Sequence, residues 1–252
     1  MRLTRDDRIT VAGHRGSCAR YCENTMESFE AAIREGADMI ETDVRLTRDR
    51  VLVLMHDDKL DRTTDSTGRM CERTYASLAD VNAGKEGHFL PIPTLEDLLK
   101  LLAGTKVMLN LEIKEYNIND NRENCEYCIN ESVRLCEAYG LTDRTVFNSF
   151  DAYVLDYIDR TYGGKYLLHG FYPYSNMRNV ERNPDEYLYC ACIFDDLKPE
   201  HYQYLTERNI EPWIGAGVKE SDHLAACIAL GAKLITTNDP ADIFDKLAKM
   251  KK

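Results

Sequence analysis

The stretch MIETDVRLTRDRVLVLMHDD, from Met39 to Asp58, combines two apolar strand-like runs with buried-site chemistry. It begins as an apolar strand that carries Glu41 and Asp43 two residues apart, and a second apolar run ends at His56. Ionised carboxylates inside an apolar strand are unfavourable unless a partner charge or a metal ion compensates them. The stretch therefore predicts a functional site at the end of a buried strand.

The second apolar run, Val51–Met55, predicts a hairpin arm rather than another parallel strand. Only six residues separate it from the preceding strand, too few for a parallel crossover. We expect Arg45 to pair roughly with Leu52, which would return His56 to the side of Glu41.

Short apolar runs alternate with amphipathic stretches along the chain. The strand candidates are Arg8–Gly13, Asp38–Val44, Lys106–Ile113, Thr145–Ser149, Lys165–His169, Tyr187–Phe194, Ile210–Ile214 and Lys233–Thr237. The helix candidates are Thr25–Glu35, Thr94–Leu102, Glu123–Tyr139, Asp151–Tyr162, Ser175–Glu181, Pro199–Arg208, Glu220–Leu230 and Pro240–Met250. Eight such units predict an α/β fold, a closed (β/α)8 TIM barrel. We expect residues 1–252 to form a single domain with an insertion after the second strand, at about Asp57–Pro93.

The composition argues against several classes of partner. The chain has 252 residues, a net charge of −11 and scattered basic residues, so nucleic acid and anionic membrane surfaces are not expected partners. No stretch resembles a signal peptide or a membrane span. We therefore expect a cytoplasmic protein without stable membrane insertion, and the sequence gives no indication of oligomeric state.

The nine cysteines are expected to be reduced thiols, because an odd number without an export signal argues against a disulfide framework. Cys125 and Cys128 form a CxxC motif whose helical spacing predicts a buried helix face. Cys190 and Cys192 form a CxC motif on a predicted strand. A zinc site built from both pairs is an alternative, but the spacing is not that of paired zinc motifs.

Function in a (β/α)8 barrel lies at the C-terminal ends of the strands. The informative ends are Gly13-His14-Arg15-Gly16, Glu41-Thr42-Asp43, His56-Asp57 and Leu111-Glu112-Ile113-Lys114. Residues i and i+2 of a strand share a face, so both carboxylates of the second strand point the same way. The same spacing places Glu112 and Lys114 on one face, and we expect these faces to line the barrel interior.

Three carboxylates converging on one mouth indicate a divalent cation with oxygen ligands, Mg²⁺ or Ca²⁺. His14 and His56 suit acid–base catalysis near neutral pH, and Arg15 and Lys114 suit a phosphate. Together they suit phosphodiester cleavage. Each motif alone has an ordinary structural explanation, such as a hydrogen-bonded histidine or a local ion pair, and only the joint placement favours an active site.

The chain contains a series of short motifs in a fixed order: G-H-R-G at Gly13–Gly16, E-N-T at Glu23–Thr25, S-F-E-A-A at Ser28–Ala32, G-A-D-M-I-E-T-D-V at Gly36–Val44, L-T-R-D at Leu46–Asp49, H-D at His56–Asp57, L-D-R-T-T at Leu60–Thr64, I-P-T-L-E-D-L-L at Ile92–Leu99 and L-E-I-K at Leu111–Lys114. In these motifs the chain closely resembles the glycerophosphodiester phosphodiesterase family. Weaker similarity extends through N-S-F at Asn148–Phe150, Trp213 and I-T-T-N-D-P at Ile235–Pro240. The resemblance covers nearly the whole chain and is densest over the first 115 residues.

The resemblance implies a TIM barrel that hydrolyses a glycerophosphodiester to glycerol 3-phosphate and an alcohol such as choline, ethanolamine or glycerol. It implies one divalent cation held by Glu41, Asp43 and Glu112. In the mechanism it suggests, the glycerol 2-hydroxyl, polarised by the metal, attacks phosphorus, and water later opens the cyclic phosphate. It also implies that His14 and His56 act as acid and base; we expect His14 as first base and His56 as first acid.

The resemblance further implies that Arg15 and Lys114 lie near the phosphate. Two departures from the family pattern occur in the last third. Many members read W-T-V-N where this chain has Trp213-Ile214-Gly215-Ala216, and many carry T-D-x-P where it has Thr237-Asn238-Asp239-Pro240. We expect neither change to touch the metal ligands or the histidines, and both to affect alcohol specificity. Trp213 is predicted either to form a wall for the glycerol or to pack in the core.

His169 ends the fifth predicted strand and is a further candidate for substrate contact. The aromatic residues Phe150, Phe171, Tyr172 and Tyr174 are expected on upper loops, where they could shape the alcohol pocket or form a cation–π site for choline. Two other functions stay open. One is a lysophospholipase D-like phosphodiesterase, which the polar insertion disfavours. The other is a catalytically inactive barrel that binds a phosphorylated ligand.

Overall fold

The computed structural model describes residues 3–250 and contains a closed barrel of parallel strands. The strands are β1 (Thr10–His14), β2 (Met39–Leu46), β3 (Leu52–Leu54), β4 (Met108–Ile113), β5 (Thr145–Asn148), β6 (Leu167–Phe171), β7 (Cys190–Cys192), β8 (Glu211–Ile214) and β9 (Leu234–Thr237). Their order is β1-β9-β8-β7-β6-β5-β4-β2-β3, and a β1–β2 pairing closes the ring. The predicted eight-stranded barrel is confirmed, with β3 outside the ring.

The helices are α1 (Met26–Arg34), α2 (Leu95–Ala103), α3 (Arg122–Ala138), α4 (Ala152–Tyr162), α5 (Pro199–Glu207), α6 (Ser221–Leu230) and α7 (Pro240–Met250). The predicted helix at Ser175–Glu181 is wrong, because Tyr174–Asn176 forms only a single 3₁₀ turn. Asn179 then adopts a left-handed φ of 52°, which an α-helix does not allow. The connection between the adjacent strands β6 and β7 therefore contains no α-helix.

The hairpin formed by β2 and β3 is antiparallel as predicted, but its register differs by one residue. Arg45 pairs with Val53 rather than Leu52. The turn sets this register, because the Thr47 amide donates to the Val51 carbonyl and Arg50 adopts a left-handed φ of 61°. The Met55 amide bonds to the Asp43 carbonyl, so this register sets His56 opposite Thr42, one residue beyond the expected Glu41.

The insertion that follows β3 has its own small core. Within it the regular structure is two 3₁₀ turns, Met70–Glu72 and Tyr75–Leu78. Its buried apolar side chains pack against Val53 and Met55 of the hairpin arm and are Leu60, Met70, Leu78, Val81, Ala83 and Ile92. Because this core rests on β3, the insertion and the segment carrying His56 are anchored together at one side of the barrel mouth.

Within residues 3–250, no helix combines the length and the apolar character that crossing a bilayer would require.

The cysteines are unpaired thiols, and most are buried. The six buried ones are Cys125, Cys128, Cys136, Cys190, Cys192 and Cys227. Those of the CxxC motif lie on the buried face of α3, as the helical spacing predicts. Among residues 3–250, the histidine, cysteine and acidic side chains close enough to share a metal ion are carboxylates only, so the zinc alternative is not supported.

We predict that the native protein exposes few reactive thiols. Cys71 is exposed and should react with Ellman's reagent at once, while Cys18 and Cys22 are half-buried and should react slowly. Burial raises the pKa of Cys18 to about 11, which suppresses its reactive thiolate. Protein unfolded in guanidinium should titrate all nine thiols, and rapid reaction of more than three in the native state would contradict the described core.

Candidate active site

The Gly13–Gly16 turn brings β1 to the barrel mouth and depends on glycine at its end. Gly16 has a φ of +87°, and a Cβ atom there would lie 2.3 Å from Ser28 Oγ. Arg15 adopts a left-handed φ of 54°. This conformation points the Arg15 amide at Glu41 Oε2, 3.0 Å away, so the turn hydrogen-bonds a carboxylate of the neighbouring strand.

Three carboxylates meet inside the barrel, as the strand spacing predicts. Glu41, Asp43 and Glu112 each offer an oxygen, and these atoms all lie within 4.8 Å of one another. The three residues are 3%, 1% and 6% exposed, so water screens their repulsion poorly. In parallel register, Asp43 pairs with Glu112, which explains why two different strands deliver their carboxylates to one level of the barrel.

Two cations enter the carboxylate cluster. Lys114 Nζ donates to Glu112 Oε1 at 2.5 Å and lies 3.3 Å from Asp43 Oδ1. Arg15 Nε lies 3.2 Å from Asp43 Oδ2. The two cations offset part of the negative charge, and the structure places both predicted phosphate-binding residues directly against the predicted metal ligands.

The pKa values of the three clustered carboxylates shift in different directions. Burial raises the pKa of Glu41 well above its usual range, and the neighbouring carboxylates Asp43 and Glu112 add to the rise. Burial also raises the pKa of Glu112, although Lys114 opposes it. Burial would raise the pKa of Asp43 as well, but Lys114 and Arg15 lower it below its usual value. Charge at this site is therefore only partly compensated by protein groups.

The donor set fits a divalent cation. Within residues 3–250, Asp43 Oδ1 is buried and accepts no hydrogen bond, even though it lies within ion-pair range of Lys114. A buried carboxylate oxygen without a hydrogen bond is unfavourable unless another charge compensates it. Carboxylate oxygens are the ligands that Mg²⁺ and Ca²⁺ prefer. The cluster is therefore compatible with a metal site that has oxygen ligands only.

Both predicted catalytic histidines are oriented by oxygen acceptors. His14 Nδ1 lies 2.6 Å from Asn238 Oδ1, and His56 Nδ1 lies 2.6 Å from Asp57 Oδ1. Since an amide or carboxylate oxygen can only accept, each Nδ1 carries the hydrogen and each Nε2 is left for chemistry. His14 Nε2 lies 3.9 Å from Glu41 Oε2, beside the carboxylate cluster.

Desolvation acts on both imidazoles. Burial lowers the pKa of His14, and the nearby Arg15 lowers it further. Burial also lowers the pKa of His56, whereas Asp43 raises it. Both histidines are therefore biased towards the neutral form, in which Nε2 can accept a proton.

The contact between Asn238 and His14 corrects one sequence-based expectation. The T-D-x-P departure was expected to leave the histidines untouched, yet its Asn238 is the hydrogen-bond partner of His14. An amide oxygen here keeps the acceptor but removes the negative charge that an aspartate would bring. The sequence marks Asn238 as a departure from the family pattern, but residue spacing does not predict its contact with His14, 224 positions away.

A network of charges that the sequence reasoning missed supports the site from the insertion. Arg62 donates to both oxygens of Asp57 and to both oxygens of Glu23. Glu23 also accepts from Arg15 Nη1 at 2.8 Å. Glu23, Asp57 and Arg62 belong to the motifs E-N-T, H-D and L-D-R-T-T. The motifs therefore mark these residues in the sequence, but they do not show that the residues contact one another. The network connects the partner of His56 to the arginine beside Asp43.

Two further candidates for substrate contact, Trp213 and His169, lie in the core of the second half of the barrel. Trp213 is fully buried and its indole N–H donates to Glu211 Oε2, so its placement matches the core-packing alternative and gives no support to a contact with glycerol. His169 is also buried, 4.8 Å from the Trp213 ring, and burial lowers its pKa to about 3. Its Nδ1 hydrogen-bonds the Asn110 amide.

An aromatic cluster occupies the mouth on this side. Phe150 and Phe171 stack with centroids 3.4 Å apart, and Phe194 lies 5.7 Å from Phe171. Phe150 also faces Lys114 Nζ, which is 5.6 Å from the ring centroid. We call these three phenylalanines the aromatic wall, since they flank the charged cluster. Phe194 is 37% exposed, so part of this wall is open to solvent.

Many known proteins are similar to this chain in sequence or in structure. Residues 14–208 match the model of the glycerophosphoryl diester phosphodiesterase family. A glycerophosphodiester phosphodiesterase from Bacillus altitudinis is 33% identical over 187 residues, which are 71% of this chain and 70% of that protein.

Solved structures share the fold at lower identity. A phosphodiesterase from Oleispira antarctica, solved with its product sn-glycerol 3-phosphate, is 22% identical with a TM-score of 0.81, over 95% of this chain and 96% of that one. A glycerophosphodiester phosphodiesterase from Agrobacterium tumefaciens is 19% identical with a TM-score of 0.76, over 93% of this chain and 98% of that one. At these identities the structural likeness shows the barrel fold alone.

We predict that Gly16→Ala destabilises the protein by about 2–5 kcal/mol, because a left-handed φ and overlap with Ser28 add together. Gly68→Ala is the matched control: its φ is +95°, but no atom of the residues that the structure describes lies within 4 Å of the added Cβ. It should lose only about 1–2 kcal/mol from backbone strain. Urea unfolding followed by circular dichroism measures both, and equal losses would contradict the close approach of Gly16 to α1.

Proposed function

The chain belongs to the glycerophosphoryl diester phosphodiesterase family, and from this we propose that its barrel mouth hydrolyses glycerophosphodiesters to glycerol 3-phosphate and an alcohol. The observation that carries the proposal is the convergence of three buried carboxylates, two cations and two oriented histidines at one end of the barrel. A site that only bound a phosphate would not need two imidazoles with their Nε2 atoms available.

Glu41, Asp43 and Glu112 are the residues that would hold one divalent cation, Mg²⁺ or Ca²⁺. Their proximity and the Asp43 Oδ1 atom, which accepts no hydrogen bond from residues 3–250, support this assignment. When bound, such an ion supplies electrostatic stabilisation of charge on phosphate oxygens.

Arg15 and Lys114 are proposed to bind the phosphate. Both lie against the carboxylate cluster, so a phosphate that entered the mouth would meet two fixed positive charges. Guanidinium and ammonium groups held in a poorly hydrated site stabilise charge on phosphate oxygens more strongly than they do in water. Their ion pairs with Asp43 and Glu112 hold them in place before substrate binds.

His14 and His56 are proposed to divide the proton transfers according to their partners. His14 Nδ1 donates to a neutral amide, so its Nε2 suits a base that takes the proton of the attacking hydroxyl group. His56 Nδ1 donates to the Asp57 carboxylate, which opposes the effect of burial on the pKa of His56 and favours a protonated imidazole, so of the two histidines His56 better suits the acid that protonates the leaving alcohol. Attack by the glycerol 2-hydroxyl forms a bond from its oxygen to phosphorus and breaks the bond from phosphorus to the alcohol, which leaves a cyclic phosphate. Water then forms a bond to phosphorus and breaks the bond from phosphorus to the 2-oxygen, which gives glycerol 3-phosphate, and the two histidines exchange their acid and base roles.

The aromatic wall favours one second candidate, hydrolysis of lysolipids by the same groups. Phe194 and the nearby Leu197 are 37% and 43% exposed, and such an apolar edge could accept an acyl chain. The insertion is rich in charged side chains, and its exposed apolar side chain Phe89 is 53% accessible. Glycerophosphocholine and lysophosphatidylcholine assayed side by side separate the candidates, because only the second carries an acyl chain.

We predict metal-dependent release of glycerol 3-phosphate. Protein stripped with EDTA should be inactive on glycerophosphocholine, glycerophosphoethanolamine and glycerophosphoglycerol, and Mg²⁺ or Ca²⁺ should restore turnover. Glu41→Gln should abolish cation binding measured by calorimetry, while the exposed Glu30→Gln should leave it unchanged. Binding of one cation to Glu41→Gln with unaltered affinity would show that the ligand assignment is wrong.

We predict that His14→Ala and His56→Ala each lower kcat by about 10²–10⁴-fold, as expected for loss of an acid or base. Cation binding should persist in both variants, because neither imidazole is a proposed ligand. His88→Ala is the control: this histidine also faces a carboxylate, Glu27 Oε2 at 3.3 Å, but on the surface of the insertion. Unchanged turnover in either active-site variant would remove that residue from the mechanism.

A further inference from the structure

A cavity of about 510 Å³ adjoins the site and shares Lys114 with it. Its walls come from the ends of β2 and β4, the insertion and the loop after β4. Arg45 lies two residues beyond Asp43 on the same face of β2, which places it roughly 7 Å farther out along the strand. The cavity therefore continues the active-site mouth outward from the carboxylate cluster.

The lining of this cavity, which we call the basic cavity, carries an excess of positive charge. Six basic side chains line it: Arg45, Arg48, Arg50, Arg69, Lys114 and Arg178. Its acidic residues are Asp58 and Glu115. This local excess of positive charge contrasts with the net charge of −11 of the whole protein. The excess is also unfavourable in itself, since cations without partners repel one another.

Three of these arginines have no neutralising carboxylate in the part of the chain that the structure describes. Among residues 3–250, no carboxylate oxygen lies within 4 Å of the side-chain nitrogens of Arg45, Arg48 or Arg178. The Glu115 carboxylate is directed elsewhere, because its oxygens accept from the Leu46 amide and from Asn121 Nδ2. The cavity therefore has positive charge that an anionic ligand could neutralise.

Arg45 and Arg178 face a common surface. The Arg178 guanidinium lies over the Tyr116 ring, 4.5 Å from its centroid. Burial raises the pKa of Tyr116 to about 12, and Arg45 and Arg178 both oppose that rise, so both guanidinium groups are near the same phenol. The two cations are thus held on one wall of the cavity rather than dispersed in solvent.

The basic cavity lies on the leaving-group side of the proposed reaction. Arg45 Nε donates to the backbone carbonyl of His56 at 2.9 Å. Asp58, two residues after His56, also lines the cavity. His56 is the proposed acid that protonates the departing alcohol, so the alcohol must lie on the His56 side of the phosphate. The aromatic wall is formed instead by residues at the ends of β5, β6 and β7.

We propose that the basic cavity binds an anionic group, a phosphate or a carboxylate, carried by the alcohol portion of the substrate. The inference rests on the proposed function and narrows it to glycerophosphodiesters with an anionic head group. Choline would bring a positive charge to a cavity that already has an excess of it. A second anion attached to the alcohol would instead meet Arg45, Arg178 and Lys114 while the diester phosphate remains at the carboxylate cluster.

Two matched pairs of substrates test this proposal. Glycerophosphoinositol 4-phosphate and glycerophosphoinositol differ by one phosphate, and glycerophosphoserine and glycerophosphoethanolamine differ by one carboxylate. With the metal restored, kcat/KM should be at least about fivefold higher for the anionic member of at least one pair. The pair with the larger ratio identifies which anion the cavity accepts. Raising the salt concentration should reduce the ratio, because the arginines are partly exposed to solvent.

Arg178→Gln should reduce that ratio about threefold, and combining it with Arg48→Gln should bring it close to one. Arg45 is not a suitable site for this test, because it also positions the His56 carbonyl. Arg208→Gln is the matched control: its guanidinium lies over the Tyr204 ring at 3.7 Å but outside the basic cavity. The control should retain the wild-type ratio.

The outcomes separate this inference from the proposed function. Turnover with a ratio near one in both pairs, or an equal ratio in Arg178→Gln and wild type, would overturn the anion pocket and leave the phosphodiesterase function standing. No turnover of any substrate would overturn the proposed function. Calorimetric titration of inositol 4-phosphate would then test the cavity alone: weaker binding by Arg178→Gln than by Arg208→Gln supports the pocket, and equal binding overturns it.

Discussion

The mutual repulsion of Glu41, Asp43 and Glu112 is the constraint on which the rest of the structure depends. Three carboxylates with little access to water do not stay together without compensating groups. The left-handed turn at Arg15 supplies a backbone N–H and a guanidinium, and β4 supplies the Lys114 ammonium two residues beyond Glu112. The site is therefore built from the first strands of the barrel, and the groups that balance its charge are the groups suited to a phosphate.

Much of this arrangement was predictable because it follows from local periodicity. Alternating apolar and amphipathic segments specify a parallel barrel, and the i, i+2 spacing places Glu41 with Asp43 and Glu112 with Lys114 on interior faces. The short link before Val51 specified an antiparallel arm. These inferences need only the geometry of strands and the rule that active sites of such barrels lie at the C-terminal ends.

The features that could not be predicted depend on distant contacts or on backbone details. The bridge from Glu23 through Arg62 to Asp57 joins the first loop to the insertion, and no spacing rule connects them. The register of the hairpin was set by a turn conformation at Arg50, and the missing helix by the conformation of Asn179. Trp213 could be assigned to the core only once its burial and its bond to Glu211 were seen.

The contact between Asn238 and His14 links completion of the active site to closure of the barrel. Asn238 directly follows β9, the last strand, which pairs with β1 and so closes the ring. A nascent chain that has folded only through β4 already holds every carboxylate, both cations and both histidines. It still lacks the oxygen that orients His14 Nδ1, so the imidazole is free to rotate or to change tautomer. During synthesis, catalytic competence would therefore appear only after residue 238 has left the ribosome and the barrel has closed.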